Sequence, residues 1–505
     1  MVKGLMGRNK RNGDAPAGGG SRLAGSVFLL LLTTAGCDSP AEPDSPADPF
    51  TAEGPAVVRQ GEVAAYSVRT LDEGAPIPQV TWSLLPPSGG FITPEGHFVG
   101  YDPGTVGIVA SAGGVGDTLE VSIAPRDGPT GSYSVEGRGE VTDRLTSDLW
   151  LSGDVAYTGT WGFAGPDPPT EPGNRVFVWD VSNPASIRLV DSVAVAARTV
   201  NDVMIRDDGA LAVLTHEGSP PDDGSPPNGI TLLDLADPFH PTVITRFTDR
   251  LTLGVHNVWI EGDFVYAVSN GTEPASGSGL QIIDVSNPSE PEIVGSYFGG
   301  TPSQGGQHLH DVYVRDGLAF LSHWNAGLII LDVGNGIAGG SPTNPVEVGR
   351  VMPREHPGNE EPAGQIHNAW YWPETGYVFI GEEDFDAPGR MHVVDAGDLS
   401  NPRHVASYRP LPHRDTPHFF WLDEDRRILH MAWYTQGLRA LDVTGELLGD
   451  LERQGREVAS IVYDGEGTCF TAPPGGTCTW AAHLHRDFVF VSDMNSGIWA
   501  LRPEF

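Results

Sequence analysis

The 505-residue sequence contains only three cysteines, and no apolar run is long enough to span a bilayer as a stable helix. Positive charge is also scarce, because 30 Lys and Arg residues face 66 Asp and Glu residues, for a formal net charge of −36. So acidic a surface repels phosphate backbones, which excludes nucleic acid as an expected partner. The charge is compatible with a soluble exported protein, with cation binding or with a salty habitat, and a solvated surface is the simplest interpretation.

The compact motifs of several enzyme classes are missing as well. The sequence contains no HExxH or CxxC metal motif, no GxSxG nucleophile elbow and no glycine-rich phosphate loop between a strand and a helix. Nucleotide binding is therefore not supported. Any chemistry must be built from residues that lie far apart in the chain.

The first 37 residues have the organisation of an export signal. A basic region ends at Arg22, a short apolar core covers Leu23–Leu32, and Thr34-Ala35-Gly36-Cys37 follows. Small residues before a cysteine resemble the lipobox of bacterial lipoproteins. The resemblance implies cleavage before Cys37, lipidation of that cysteine and anchoring to a bacterial membrane. Ordinary secretion with cleavage nearby is the alternative, and residues 38–50 are predicted to be an extended Pro/Asp/Ser-rich linker.

Residues 51–126 are predicted to form a small β-sandwich. Short runs of alternating apolar residues are separated by Gly and Pro turns, as several short strands at close spacing require. The pattern from Val80 to Ile123 resembles bacterial Ig-like domains of surface proteins. The segment contains no cysteine and no recognisable chemistry, so we expect a spacer.

An internal repeat with a period near 50 residues organises the rest of the chain. Its clearest copy reads GLQIIDVSNP at Gly279–Pro288, and the aspartates that end the related strands are separated by 54, 50, 48, 63 and 47 residues. The Asp-x-Ser-Asn-Pro segment is typical of a turn, because Asp bonds its own backbone two residues on and Pro blocks further pairing. The repeated aspartates are Asp180, Asp234, Asp284, Asp332, Asp395 and Asp442.

Each repeat contains four β runs separated by turns, which is the order of one four-stranded propeller blade. We therefore predict an all-β fold in which residues 127–505 form a seven-bladed β-propeller after the Ig-like sandwich. The last repeat ends after its third strand, so Gly131–Val141 is expected to supply the missing outer strand and close the ring. The aligned first strands start at Ser147, Asn201, His256, His310, His367, His418 and Trp480.

The strands and turns at Val176–Pro184 and Leu280–Pro288 resemble the LVIVD repeat family of bacterial and archaeal exported proteins. The resemblance extends over about residues 140–500. It implies a propeller fold and a location in the cell envelope or outside the cell. The family is recognised by its repeat and not by a common reaction, so the resemblance does not name a substrate.

Histidine occupies the same aligned position in four consecutive repeats, at His256, His310, His367 and His418. The innermost strand of a blade faces the central channel, and the channel mouth is a usual place for propeller sites. Imidazole and carboxylate are the ligands that zinc, copper, iron and nickel prefer. A second set lies where second strands are predicted to end, at His216, Glu217, His323, Glu382, Glu383, His430 and Asp493.

These two sets suggest a divalent transition metal site. Because the ligands come from one arc of the ring, a bound ion would keep an open coordination side, as catalytic metals do. The alternative is structural, since each histidine could bond the adjacent blade and fix the register between blades, and duplication copies residues. The candidate ligands are His256, His310, His367, His418, His323, His216, Glu383 and Asp493.

Other constellations carry less information. Cys469 and Cys478 lie in one Gly/Pro-rich loop and are expected to form a disulfide in an exported protein. His308 and His310 could chelate together, and the acidic loop Glu382–Asp386 could hold Ca²⁺ through its oxygens. The aromatic residues Trp161, Trp324, Trp433 and Tyr434 are candidates for a rim that binds sugars or peptides.

The function that follows is that of an exported, lipid-anchored surface protein whose propeller binds a ligand or protein at the channel mouth. A surface protein or a glycan is the expected partner, besides the membrane held through Cys37. The alternative is a metal-dependent hydrolase or oxidoreductase that uses the histidine arc. Fold alone does not decide between them.

Overall fold

The computed structural model describes residues 50–72, 76–162, 173–218, 227–270, 279–299, 308–354, 363–384, 388–469 and 475–505. The predicted signal peptide with Cys37, and the predicted linker up to residue 49, lie outside these residues. In the described part the secondary structure is almost entirely β, with two short 3-10 helices at Pro87–Gly89 and Pro184–Ser186. No helix there has the length and apolar character needed to cross a membrane.

The N-terminal region contains nine strands that form two facing sheets and a two-stranded ribbon. The sheets have the strand orders β2-β9-β8-β5 and β3-β7-β6, and the ribbon pairs β1 with β4. Val58, Phe98 and Ile108 come from both sheets and share one buried core. The strands are β1 (Phe50–Glu53), β2 (Val57–Arg59), β3 (Val63–Ala65), β4 (Ser67–Thr70), β5 (Thr81–Leu85), β6 (Gly90–Ile92), β7 (His97–Gly100), β8 (Gly104–Ala112) and β9 (Val115–Ala124).

A connecting strand, β10 (Ser132–Glu140), leads into the repeats. The first three repeats give β11 (Leu145–Ser152), β12 (Val155–Trp161), β13 (Arg175–Asp180), β14 (Arg188–Ala194), β15 (Val203–Ile205), β16 (Leu211–His216), β17 (Gly229–Asp234), β18 (Thr242–Phe247), β19 (Val255–Glu261), β20 (Phe264–Ser269), β21 (Gly279–Asp284) and β22 (Glu292–Tyr297).

The later repeats give β23 (Asp311–Arg315), β24 (Leu318–Ser322), β25 (Leu328–Asp332), β26 (Val346–Val351), β27 (Ile366–Trp372), β28 (Tyr377–Glu382), β29 (Met391–Asp395), β30 (Arg403–Tyr408), β31 (Phe420–Asp423), β32 (Ile428–Ala432), β33 (Leu438–Asp442), β34 (Gly449–Asp450), β35 (Glu457–Ile461), β36 (Thr479–His485), β37 (Phe488–Asp493) and β38 (Gly497–Glu504).

Each repeat folds as an antiparallel four-stranded sheet in chain order, such as β19-β20-β21-β22. The last sheet has the order β10-β38-β37-β36, in which Ser132 pairs with Glu504 and Glu140 with Gly497. This pairing confirms the prediction that the segment before the first repeat supplies the missing outer strand. One sheet is larger than predicted, because the short β34 adds in parallel to β30.

The sheets stand side by side around a common axis. The first strand of each sheet contacts the first strand of the next, and the ring closes through contact between β11 and β36. Apolar residues on facing sheets form the cores, as when Tyr157 and Val178 pack against Val203 and Leu214. The repeats therefore build a β-propeller in which each sheet is one blade.

The repeated aspartates end the third strands as predicted. Asp234, Asp284 and Asp395 each accept a hydrogen bond from the backbone N–H two residues on, at 2.8, 2.8 and 3.0 Å. A register shift follows in the pairing of the third and fourth strands, for example between Ile282 and Ile283. A bulge of this kind increases local twist and lets the outer strand follow the blade.

The N-terminal region is docked against the sixth blade. Gln60 donates to the backbone oxygen of Arg453 at 2.9 Å, and the buried Arg456 donates to the oxygen of Gly61 at 2.8 Å. The Tyr101 hydroxyl accepts the backbone N–H of Asp450 at 3.0 Å. These contacts hold the sandwich at a fixed place on the ring.

Candidate functional site

Backbone bulges at the start of two innermost strands set the orientation of two of the aligned histidines. The pairing of β19 with β20 shifts register between Val255 and Val258, and that of β27 with β28 shifts between Ile366 and Asn368. His256 and His367 lie in these interruptions. A bulge re-aims side chains that regular alternation would turn away.

The four aligned histidines form a continuous arc. The ring centroids are 4.4 Å apart between His256 and His310, 4.3 Å between His310 and His367, and 4.1 Å between His367 and His418. They come from four successive blades. The structure therefore brings the whole predicted arc together at one level of the channel.

The carboxylate of Glu383 lies against three of these imidazoles. Its Oε2 is 3.7 Å from His310 Nε2 and 3.8 Å from His367 Nε2, and its Oε1 is 3.9 Å from His418 Nε2. The atoms of His310, His367 and Glu383 all lie within 4.8 Å of one another. Ligands about 2.1 Å from a tetrahedral metal are roughly 3.4 Å apart, so small side-chain shifts would suffice for coordination.

The electrostatic state of the cluster suits a cation. Burial, together with neighbouring imidazoles, lowers the pKa values of His310, His367 and His418 well below the ordinary value, so these rings are neutral at pH 7. Burial raises the pKa of Glu383 to about 7, although the hydrogen bond from Tyr434 opposes the rise. Neutral imidazole and ionised carboxylate are the forms that bind metals, so an ion that binds near pH 7 would displace the proton from those Glu383 carboxyl groups that still carry one.

Hydrogen bonds orient two of the groups. His418 Nδ1 lies 2.8 Å from the carbonyl oxygen of Trp480, which fixes the tautomer with a free Nε2 lone pair toward Glu383. The Tyr434 hydroxyl donates to Glu383 Oε1 at 2.5 Å. By contrast, the buried Nδ1 atoms of His310 and His367 have no hydrogen-bond partner in the part of the chain described.

Two bulky residues beside the cluster adopt left-handed backbone conformations. Trp324 has φ of 40° and Tyr434 has φ of 37°, values that are uncommon for large side chains. Trp324 stacks against His310, with centroids 5.0 Å apart and planes 25° apart. Such strain persists where the surroundings enforce it and is concentrated at functional sites.

His256, the fourth member of the arc, is engaged differently. Its Nδ1 lies 3.0 Å from Glu217 Oε2, and Asn270 also donates to that oxygen at 3.3 Å. Burial opposes protonation of His256, but the charge and hydrogen bond of Glu217, together with the charges of Glu383 and Asp311, outweigh burial and raise the pKa of the imidazole. This pair flanks the three-histidine cluster at its more exposed side, where the side chain of His256 is 19% exposed and that of His367 only 1%.

Three other candidate ligands point elsewhere. His216 Nε2 lies 3.0 Å from Thr231 Oγ1 inside its own blade, and His323 has Arg350 and Glu347 as electrostatic neighbours. Asp493 accepts the backbone N–H of Cys478 at 2.6 Å and caps a turn. Alternation explains the difference, because neighbouring residues at a strand end face opposite ways: Glu217 reaches the channel and His216 does not.

Several secondary predictions also change. His430 lies in the middle of β32 and contacts the Tyr133 hydroxyl at 2.6 Å, so it is not at the end of a second strand. Glu382 turns away from Glu383 and lies 3.5 Å from His392. Residues 385 and 386 of the predicted acidic loop lie outside the described residues. Trp433 is completely buried, so it belongs to a blade core and not to a rim.

The disulfide prediction is confirmed, while the binding roles of His308 and Trp161 stay predictions. Cys469 and Cys478 form the expected disulfide, with Cα atoms 5.5 Å apart. His308 does approach the arc, since its ring stacks on Trp324 with centroids 4.7 Å apart. Trp161 packs against Trp480 at the same end of the channel.

The aligned repeats also contain a second pattern that sequence reasoning overlooked. Three residues after each predicted strand start, five of the seven positions are aromatic and a sixth is histidine. One residue after the start, three positions are aspartate. The same alignment that identifies the histidines also contains this pattern, one and three residues after each strand start.

Comparisons with known proteins agree on the repeat. The model of the family described as LVIVD repeat matches residues 172–195, 254–298 and 306–353. No curated protein matches the sequence. Among solved structures, the β-propeller domain of Cps50 (Swd1) from Myceliophteria thermophila is similar, at 11% identity and a TM-score of 0.46, covering 72% of this chain and 98% of that chain. The strand pairing and the family match together describe a β-propeller that contains LVIVD repeats.

Proposed function

We propose that this propeller binds one divalent transition metal ion at the channel mouth and uses the open side of that ion to capture a ligand. The proposed ligands are His310, His367, His418 and Glu383. The observation that carries the proposal is the approach of three Nε2 atoms, from three blades, to the two oxygens of one buried carboxylate, at 3.7–3.9 Å. Imidazole nitrogen with one carboxylate suits zinc, iron, copper or nickel.

The surroundings support a metal over a purely structural cluster. Buried polar atoms are normally hydrogen-bonded, yet the Nδ1 atoms of His310 and His367 make no hydrogen bond of good geometry among the described residues, although His310 lies near the backbone of His367 and His367 near the side chain of Asn368. If the histidines served to fix blade register, both nitrogens would be expected to bond the adjacent blade. His418 and His256 bond an adjacent blade only through Nδ1, to the oxygen of Trp480 and to Glu217, and the bond of His418 leaves its Nε2 available.

Access to the ion would come from the side of His256. The side chains of Glu383 and His310 are 12% and 11% exposed, whereas those of His367 and His418 are almost completely buried. A ligand arriving there would meet the open coordination position and the His256–Glu217 pair together. This arrangement supports a ligand-binding scaffold, and also the alternative of a hydrolase or oxidoreductase in which the ion supplies Lewis acidity or redox chemistry.

The remaining parts of the proposal concern the chain as a whole. We infer that the ring is seven-bladed, because six four-stranded sheets and one five-stranded sheet contact one another in a closed circle across the described residues. The sandwich of residues 51–126 is proposed to be Ig-like. Residues 1–37 are proposed to direct export, with Cys37 lipidated and the protein held at the cell envelope.

Metal binding is tested on the purified full chain after removal of metals with a chelator. Titration with Zn²⁺, Fe²⁺, Cu²⁺ and Ni²⁺ is expected to give one tight site per chain for at least one of these ions. The double variant His310→Ala/His367→Ala should lose that site. Absence of a tight site in the unchanged protein, or its survival in the double variant, would refute the proposal.

The scaffold and the enzyme are separated by turnover. With the metal loaded, a panel of p-nitrophenyl esters and phosphates tests hydrolysis, and a set of chromogenic phenols tests oxidation. Turnover that disappears in Glu383→Gln supports the enzyme, while metal binding without turnover supports the scaffold. Membrane attachment is tested separately, since Cys37→Ser should release the protein from the membrane fraction.

A further inference from the structure

The channel also contains a cavity that lies further along the innermost strands than the aligned histidines. It has a volume of about 50 Å³ and is lined by the aromatic and aspartate columns of the innermost strands. A volume of this size exceeds that of one water molecule, so the cavity can receive a small group. None of its lining residues is a lysine or an arginine.

Five aromatic side chains encircle this cavity. Successive ring centroids are 5.8 Å apart from Trp150 to Trp259, 4.5 Å to Tyr313, 5.0 Å to Trp370, 4.8 Å to Trp421 and 5.8 Å back to Trp150. The centre of a five-membered ring with these sides lies roughly 4–5 Å from each centroid, a distance at which a ring whose face is turned to the centre attracts a cation.

Carboxyl groups line the same cavity from the histidine side. Asp148, Asp202 and Asp311 are 7%, 5% and 5% exposed and contribute to its wall. Asp148 and Asp202 are close neighbours, and burial raises the pKa of both carboxyl groups. Burial also raises the pKa of Asp311 to about 7. Because no basic side chain lines the wall, a cation that enters the cavity would supply the positive charge that balances these carboxylates when they ionise.

A separate observation also points to a ligand. His483 lines the cavity, is 5% exposed and stacks on Trp421 with centroids 3.8 Å apart. Its Nδ1 atom is buried without a hydrogen-bond partner among the described residues. Buried polar atoms without partners are uncommon in folded proteins, and one that lines a cavity is explained by a bound polar group.

We propose that this cavity binds the ammonium head of a primary alkylamine. The aromatic faces attract the charge and pack against the first methylene groups, while Asp148 and Asp202 accept N–H hydrogen bonds. A primary amine uses both features, whereas a quaternary ammonium cannot donate to the carboxylates. The alkyl chain runs between the tryptophans, which keep part of their surface exposed. The proposal does not depend on the metal site.

The test uses n-butylammonium chloride as the probe and n-butanol as its neutral counterpart. Calorimetry and tryptophan fluorescence of the full chain should show saturable binding of butylammonium and none of butanol. Asp148→Asn/Asp202→Asn should weaken binding by about tenfold or more, because charge-assisted hydrogen bonds are lost. Glu383→Gln, which is aimed at the metal site, should leave butylammonium binding unchanged.

Three outcomes would overturn the proposal: no saturable binding of butylammonium at millimolar concentration, equal binding of butanol, or unchanged affinity in the aspartate variants. Displacement of butylammonium by equimolar K⁺ would mean an inorganic cation site and would also overturn it. If the double variant does not fold, the single Asp148→Asn variant serves, since the amide imitates a protonated carboxyl. Trp259→Leu provides an independent variant in the aromatic ring and should weaken binding as well.

Discussion

Two arcs of the same ring, at the same level of the channel, differ in how far their polar side chains are hydrogen-bonded to the protein. On one arc, Ser147 donates to the oxygen of Val200 at 2.6 Å, and Asn201 donates to Asn257 Oδ1 at 2.7 Å and to the oxygen of His256 at 3.0 Å. On the other, His310 and His367 leave Nδ1 without a partner among the described residues and direct Nε2 at a carboxylate.

The difference separates residues that hold blades together from residues that are arranged for a ligand. The first arc links adjacent blades through satisfied hydrogen bonds, which is what a register-fixing residue must do. The second arc has imidazoles at four buried positions, and these side chains make few hydrogen bonds to the protein. The two arcs occupy equivalent positions in their blades but carry different side chains.

The largest expected effect follows from removing two members of the ligand arc. His310→Ala/His367→Ala should lower metal affinity at least 100-fold, about 2.7 kcal/mol, because two of four ligands are lost. Equilibrium dialysis with metal analysis measures the change. The matched control is His216→Ala/His323→Ala, which removes two buried histidines from second-strand ends outside the cluster. If the control loses the metal equally, the contrast between the sites disappears.

A smaller effect is expected from exchanging neighbouring carboxylates. Glu383→Gln should weaken metal binding about 10- to 100-fold, since an amide oxygen is a poor substitute for an ionised ligand. Glu382→Gln changes the adjacent residue, whose side chain turns toward His392, and should leave metal affinity within about twofold of the original. Calorimetric titration of both variants compares them directly, and equal losses would place the ligand assignment in error.

For the free energy of unfolding without metal, the first arc should matter more than the second. Asn201→Ala should lower the free energy of unfolding by about 1–3 kcal/mol with or without metal, because its buried partners are left unsatisfied. His310→Gln should lower it only when metal is present, through loss of the stabilisation that binding supplies. Urea unfolding with chelator and with added metal measures both. A metal-free loss for His310→Gln as large as that for Asn201→Ala would support the structural interpretation of the histidines.

The smallest expected effect is on the pH dependence of stability, and it involves Asp148, which follows Ser147 on the first arc. Burial, and then the neighbouring Asp202, raise the pKa of Asp148 well above its ordinary value. Asp202, Asp311 and His483 face it across the cavity. The folded protein therefore holds a proton that the unfolded chain releases, so stability is fully present below about pH 4 and is lost as pH rises.

Replacing that carboxyl by an amide removes the pH-dependent loss. Asp148→Asn should match the original protein near pH 4 and exceed it by about 1 kcal/mol at pH 8. Urea unfolding at the two pH values measures the difference. Equal stability of the two proteins at pH 8 would show that Asp148 is ionised in the fold at no cost.

Much of the fold could be predicted because the same pattern of strands and turns recurs several times in the sequence. The aspartate at the end of the third strand forms an Asx turn in every blade except the last, whose third strand β38 does not end in an aspartate. The pairing of the chain start with β38 was also predictable, since the last repeat lacked an outer strand. The parallel addition of β34 was not, because two residues in a long connection carry no periodic signal.

The site could be predicted only in part. The aligned histidines share a strand position, so their convergence follows from the ring. The second-strand residues were ambiguous, because a choice between His216 and Glu217 depends on which of two adjacent side chains faces the channel. Tyr434 was expected at a rim, but its backbone is left-handed and its hydroxyl donates a hydrogen bond to Glu383. The sequence contains no signal that predicts this backbone conformation for a tyrosine.

The most direct measurement is anomalous X-ray scattering from crystals of the full chain loaded with the metal that binds most tightly. One strong peak should lie among His310 Nε2, His367 Nε2, His418 Nε2 and the carboxylate of Glu383. The same crystals of His310→Ala/His367→Ala should show none at that place. A peak confined to surface carboxylates, or an empty cluster under saturating metal, would contradict the assignment of this arc as a metal centre.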